Sequence, residues 1–176
     1  MQANWYIIYT KHKCEKKVAT TFSKKKIENF LPVTLKQGNS IWKSKLIYEP
    51  LFDSYIFAKI TETQISKIKE VAGVVNLLYW KGNPATIREN EIEAIREFTN
   101  DFQEIHLEKT FINPNEEVNV IDSPKYVIDG NLLTIRNTTV KVNLPSIGFM
   151  MIAKIDSKNL IGREIYFGNT RILQQS

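Results

Sequence analysis

The sequence has no apolar run as long as the roughly 18 residues that a membrane-spanning helix needs, so a membrane partner is not expected. It has one cysteine, Cys14, which excludes an internal disulfide framework. With only His12 and His106 beside that thiol, a zinc site of the cysteine–histidine kind lacks ligands, and no metal or other cofactor is implied. Neither common phosphate-binding glycine loop is present, and no Gly-x-Ser-x-Gly elbow. Lys11 and Lys13 follow the first apolar run instead of preceding it, the reverse of a secretory leader. These absences lead to the expectation of a soluble, cytoplasmic, non-enzymatic protein. The one candidate acid/base pair is His12 with Glu15; a nuclease reading would rest on it, whereas a basic, nucleic-acid-facing histidine beside a first-turn glutamate is the ordinary explanation. Hydrophobic residues make up 43% of the 176, enough for a packed core.

Acids are scarce at the front of the chain. Residues 1–48 hold ten lysines against Glu15 and Glu28, a net +8, whereas residues 101–176 hold eight Lys/Arg against nine acids, a net −1. Such a basic front is the usual footprint of a polyanion. Cys14 to about Lys26 reads as a helix with Cys14, Val18, Ala19 and Phe22 on its apolar side. On a wheel with Val18 at zero, Lys13, Lys17 and Lys24 fall between about 220° and 260°, opposite that side. Lys11 leads into the ridge from the preceding strand, and His12 lies beside it.

The remaining periodicities give an α+β fold. Asn4–Thr10 reads as a strand, and Pro32 stops the helix from continuing. Gly38-Asn39 marks a hairpin whose arms carry Lys36, Lys43 and Lys45. Leu51–Ile60 is a strand, Thr63–Ala72 a short helix capped by Thr61 or Thr63 and ended by Gly73, Val74–Trp80 a strand, Lys81–Pro84 a turn, and Asn90–Thr99 a helix. This order predicts a mostly antiparallel sheet with flanking helices over residues 1–98. Residues 99–110 read as a polar linker. Residues 111–176 read as a small SH3-like barrel, with strands at Glu117–Ile121, Tyr126–Ile128, Leu132–Arg136, Thr138–Leu144, Phe149–Ile155 and Glu164–Phe167.

The strand Tyr55–Ile60 is the sharpest feature. Side chains alternate across a strand, so Ile56, Ala58 and Ile60 suit a core, while Tyr55 and Phe57 face the other way beside Lys59. Two large aromatics on that face need cover, from a protein partner or from further elements of the fold.

These residues resemble a known family. Asn4-Trp5-Tyr6, Lys11, Glu15, Phe30-Leu31-Pro32 and above all Pro50-Leu51-Phe52-Asp53-Ser54-Tyr55-Ile56-Phe57 look like the N-terminal domain of NusG-type transcription elongation factors. Gly73-Val74-Val75 and the stretch from Pro84 through Glu91-Ile92 continue the match. The family's usual motif has Pro then Gly or Asn where this chain has Asp53-Ser54. That departure and the short basic hairpin look more like specialised, operon-directed antiterminator paralogues of the RfaH and UpxY kind. Glu117–Val120, Gly130 and Val140–Gly148 resemble a degenerate KOW barrel.

The resemblance implies a transcription elongation or antitermination factor that binds the β′ clamp helices of bacterial RNA polymerase and the non-template DNA strand. It implies that Tyr55 and Phe57 line the clamp-helix surface, flanked by Ile92 and Ile95. It places Ser66 and Lys67 at a second polymerase contact, and Lys11, His12, Lys13, Lys17 and Lys24 on the DNA side. A ribosomal protein or another factor would bind the barrel. The alternative is an RNA-binding module of ribosomal or translational type, where basic surfaces and KOW-like barrels also occur.

Overall fold

The computed structural model describes residues 2–37, 46–112, 126–128, 131–136, 139–154, 165–167 and 170–172. Its contacts divide the chain into two compact units, residues 1–89 and 90–176.

The first unit opens with β1 (Asn4–Thr10), α1 (Glu15–Lys24), β2 (Glu28–Phe30), β3 (Val33–Gln37), β4 (Leu46–Pro50) and β5 (Tyr55–Ile60). A 3₁₀ turn (Glu62–Gln64) leads into α2 (Ile65–Lys69), followed by β6 (Val74–Leu77), β7 (Tyr79–Trp80), β8 (Asn83–Pro84) and β9 (Thr86–Ile87). The main sheet runs β2-β5-β1-β6, with β9 also paired to β1, and every pairing is antiparallel. One face buries Tyr6, Ile8, Ile56, Ala58 and Ile60 with Val18 and Phe22 of α1, Ile68 of α2, and Val71, Val74 and Leu77. This is the core that the alternation along Tyr55–Ile60 predicts.

Local chemistry sets the element ends. Gln64 Oε1 accepts the Thr61 N–H at 2.9 Å, half of a capping box at the entry to α2. Gly73 sits at φ +99°, and a β-carbon there would lie 3.0 Å from Val18 Cγ2 and 3.2 Å from Cys14 Cβ. Only glycine combines that backbone with so close an approach of α1. The expected strand Val74–Trp80 is two pieces, β6 and β7. The Leu78 N–H donates to Ile7 O at 2.8 Å, after which β7 turns away to pair with β8. The expected hairpin turn at Gly38-Asn39, with Lys43 and Lys45, lies outside the described residues; its arms β3 and β4 are paired from Val33↔Pro50 to Gln37↔Leu46.

The second unit takes in α3 (Glu89–Asp101) from its second residue and continues as β10 (Ile105–Lys109), β11 (Tyr126–Ile128), β12 (Asn131–Arg136), β13 (Thr139–Leu144), β14 (Phe149–Lys154), β15 (Ile165–Phe167) and β16 (Thr170–Ile172). Five of these strands form an antiparallel sheet, β10-β14-β13-β12-β11, and β15 pairs with β16. The expected strand Glu117–Ile121 lies outside the described residues. The expectation of a linker over 99–110 is corrected: α3 runs on to Asp101, and β10 pairs with β14 from Ile105↔Ala153 to Lys109↔Phe149. Charged residues hid the strand, but Ile105 and Leu107 alternate with His106 and Glu108, and Ile105 is buried. His106 is exposed on that strand.

The contact division also separates α3 from the sheet of the first unit, where the sequence groups them. Within the second unit, Glu91 is fully buried and its carboxylate accepts the Ser146 N–H at 3.0 Å and the Ser146 hydroxyl. A buried carboxylate needs such donors. They lie in the turn between β13 and β14, so Glu91 fastens α3 to this sheet. No helix among the described residues is long and apolar enough to cross a membrane.

Candidate protein and nucleic-acid interfaces

The second face of the main sheet is aromatic because of strand register. Pairing of β1 with β5 sets Ile7 against Phe57, Tyr9 against Tyr55 and Trp5 against Lys59, and β2 adds Phe30 beside Phe57. Phe57 stacks on Phe30 at 6.3 Å between ring centroids and meets Phe52 edge-on at 5.6 Å. Tyr9 and Tyr55 lie 5.7 Å apart. Lys59 Nζ sits 5.7 Å from the centre of the Trp5 ring and pairs with Glu89 at 2.8 Å.

Exposure is uneven across this face. Trp5, Ile7, Phe52 and Phe57 are buried, Phe57 to 1%, while Tyr55 is half-buried and Tyr9 is 42% exposed. Of the two kinds of cover that the alternation leaves open for Phe57, the fold itself supplies one. Phe57 points to the second face as expected, Phe30 and Phe52 pack on it, and only the tyrosine end of the row is open. Burial, and then the neighbouring Tyr9, raise the Tyr55 pKa above the usual tyrosine value. Tyr55 stays a neutral hydrogen-bonding phenol at neutral pH, and stability is lost as pH climbs through its raised pKa.

The turn that delivers Tyr55 is held from α1. Ser54 occupies the left-handed region at φ +65°, unfavourable for a residue with a β-carbon. Its N–H donates to Glu15 Oε1 at 2.7 Å, and its carbonyl accepts the Thr10 N–H at 2.8 Å. Glu15 is 4% exposed and its carboxylate is committed to this backbone contact, which explains it without acid/base chemistry. Replacing Glu15 by Ala leaves a partly buried N–H unsatisfied and should cost about 1–3 kcal/mol. Urea unfolding checks this; a Glu15→Ala protein as stable as wild type would contradict the assignment.

The basic residues occupy two settings. Lys17 and Lys24 are exposed on α1. Lys11, His12 and Lys13 are exposed in the loop before it, pinned by Lys11 N–H to Gly73 O at 2.8 Å and Cys14 N–H to Lys11 O at 3.0 Å. Lys13 has φ +60° and lies outside the helix, which starts at Glu15, so the helical ridge is corrected to Lys17 and Lys24 with a separate basic loop. His12 and Lys13 line a cleft of about 270 Å³ with Glu15, Lys16, Glu49, Pro50 and Asp53. Sequence reasoning missed this cleft, because β4 and the turn after it supply one wall. Lys16 donates to Tyr48 O at 2.7 Å, and Lys36 of the hairpin arm faces Glu49 and Asp53 at 3.8 and 4.0 Å.

Ser66 and Lys67 are exposed on α2. Ile92 and Ile95 are fully buried in α3. They belong to the second unit, so they do not share a compact unit with Tyr55 and Phe57.

A small α+β unit with a two-faced antiparallel sheet, followed by an antiparallel β unit, is the class of protein that the folds define. The family model described as "Transcription termination factor nusG" matches residues 3–96, more than half of the chain. The chain belongs to the NusG family, whose members are transcription elongation and termination factors, not enzymes, and bind RNA polymerase. No curated protein matches the chain. Among solved structures, one described as "Domain interaction in Thermotoga maritima NusG" is similar at a TM-score of 0.45 and 16% identity, covering 88% of this chain and 94% of that one.

Proposed function

We propose that this protein is a specialised, operon-directed member of its family that binds the β′ clamp helices of RNA polymerase and the non-template DNA strand, and so suppresses pausing or termination. The observation that carries the reading is the aromatic row on the second face of the main sheet, with Tyr55 and Tyr9 at its open end. In this reading Tyr55 supplies the contact, and buried Phe57 sets the shape of the surface beneath it. Aromatic side chains seated among packed neighbours are the usual anchors of protein interfaces. Ser66 and Lys67 make a second polymerase contact. The mechanism is mechanical: a protein bound to the clamp helices holds the clamp closed over nucleic acid. The Asp53-Ser54 turn supports assignment to the specialised branch. The proposed domains are residues 1–98 and a KOW-type barrel over 111–176, which takes a ribosomal protein or another factor.

Lys11, His12, Lys13, Lys17 and Lys24 make the DNA side. Phosphate contacts of this kind give affinity and salt dependence, not base readout. Replacing Lys11, Lys13, Lys17 and Lys24 by Ala should weaken binding of a single-stranded DNA. It should also flatten the plot of log affinity against log salt by about 0.7 for each phosphate contact removed. An unchanged slope would refute the DNA side.

A further inference from the structure

The hairpin β7–β8 belongs to none of these surfaces. Its strands pair Tyr79↔Pro84 and Trp80↔Asn83, and Lys81 and Gly82 link them at φ +50° and +83°. Two central residues of positive φ make a type I′ turn, whose twist matches that of its strands. The base is fixed to β1 and to itself: Leu78 N–H donates to Ile7 O at 2.8 Å, and Ala85 N–H to Leu78 O at 2.7 Å. The tip is open, since a side chain at Gly82 would meet no atom within 4 Å. Tyr79 and Trp80 are 42% and 40% exposed, and as neighbours on a strand they face opposite sides of the ribbon. Each has its own amine. Lys69 Nζ lies 5.5 Å from the Tyr79 ring centre and 3.2 Å from its hydroxyl, and Lys81 Nζ lies 6.0 Å from the Trp80 ring centre.

We infer that this hairpin is a stacking platform for single-stranded nucleic acid. A base takes the exposed ring, and the lysine beside it moves onto the phosphate; ring and cation together are the chemistry of sequence-tolerant single-strand binding. Charge selects this occupant. From α2 through the hairpin, residues 65–84 carry Lys67, Lys69 and Lys81 against one acid, Glu70, and an apolar protein surface would have to strip water from the two amines over the rings. The inference extends the nucleic-acid reading above to a second surface, and its test needs no polymerase.

The test is fluorescence anisotropy of a labelled 12-nucleotide oligo-dT with the full chain across a salt series. Tyr79→Ala with Trp80→Ala should weaken binding about tenfold or more with the salt slope retained, because stacking contributes at that level for each base. Tyr79→Phe with Trp80→Phe, which keeps two rings, should restore most of the affinity. Lys69→Ala with Lys81→Ala should flatten the slope. Replacing Lys17 and Lys24 tests the other surface alone, so the two readings fail separately. Unchanged affinity in the folded Tyr79/Trp80 alanine protein overturns the inference. So does equal loss in the phenylalanine protein. Should the alanine protein not fold, the lysine variant decides, and an unchanged slope there overturns the inference.

Discussion

Phe57→Ala should destabilise the protein by about 3–5 kcal/mol, the usual cost of deleting a fully buried phenylalanine. The ring is 1% exposed, and its removal strips Phe30 of a stacking partner and Phe52 of an edge contact. Against a total stability of about 5–15 kcal/mol, that loss brings the protein close to unfolding. Thermal and urea unfolding should show it as a large fall in midpoint; a midpoint near wild type would mean that the second face of the sheet is not a packed layer. Loss of polymerase binding in a Phe57 variant would therefore not identify a contact.

Tyr55→Ala is the cleaner probe and should weaken polymerase binding about 30-fold, corresponding to an interface anchor of about 2 kcal/mol. Tyr55 is half-buried at the open end of the row, beside the 42%-exposed Tyr9, so its truncation should leave the unfolding midpoint much closer to wild type than Phe57→Ala does. Tyr55→Phe keeps the ring and should keep most of the affinity. A Tyr55→Ala protein that is folded and binds as tightly as wild type would remove the aromatic row from the interface.

The first core was legible because it obeys one period. Ile56, Ala58 and Ile60 alternate, and Val18 and Phe22 recur at helical spacing, so the pattern names the face and what covers it. The same alternation set Phe57 on the other side of the sheet but was silent about its cover. Phe30 reaches it through pairing of β2 with β5, and Phe52 through the turn before β5, both contacts between residues that no local pattern joins. Lys13 went astray for a backbone reason: extending the helical wheel one turn forward assumes helical φ, and the chain there is left-handed. Glu15 carried a residue-type signal, an acid in the first turn of a helix, but its partner is the N–H of Ser54, 39 residues away. β10 was legible in principle from Ile105 and Leu107, and was outweighed by the charges between them. The hairpin aromatics read as the end of one strand, Val74–Trp80, because apolar residues in a short run carry no mark of which way they face; the chain leaves the sheet after Leu78 bonds to Ile7, and Tyr79 and Trp80 pair with β8 instead.

The most direct measurement is binding of the full wild-type chain to purified bacterial RNA polymerase free of nucleic acid, with purified ribosomes in parallel. A stable complex with polymerase alone is expected, one that survives replacement of Lys11, Lys13, Lys17 and Lys24 by Ala and is weakened about 30-fold by Tyr55→Ala. Binding to ribosomes but not to polymerase, or a polymerase complex that tolerates Tyr55→Ala and dissolves with the lysine variant, would contradict it.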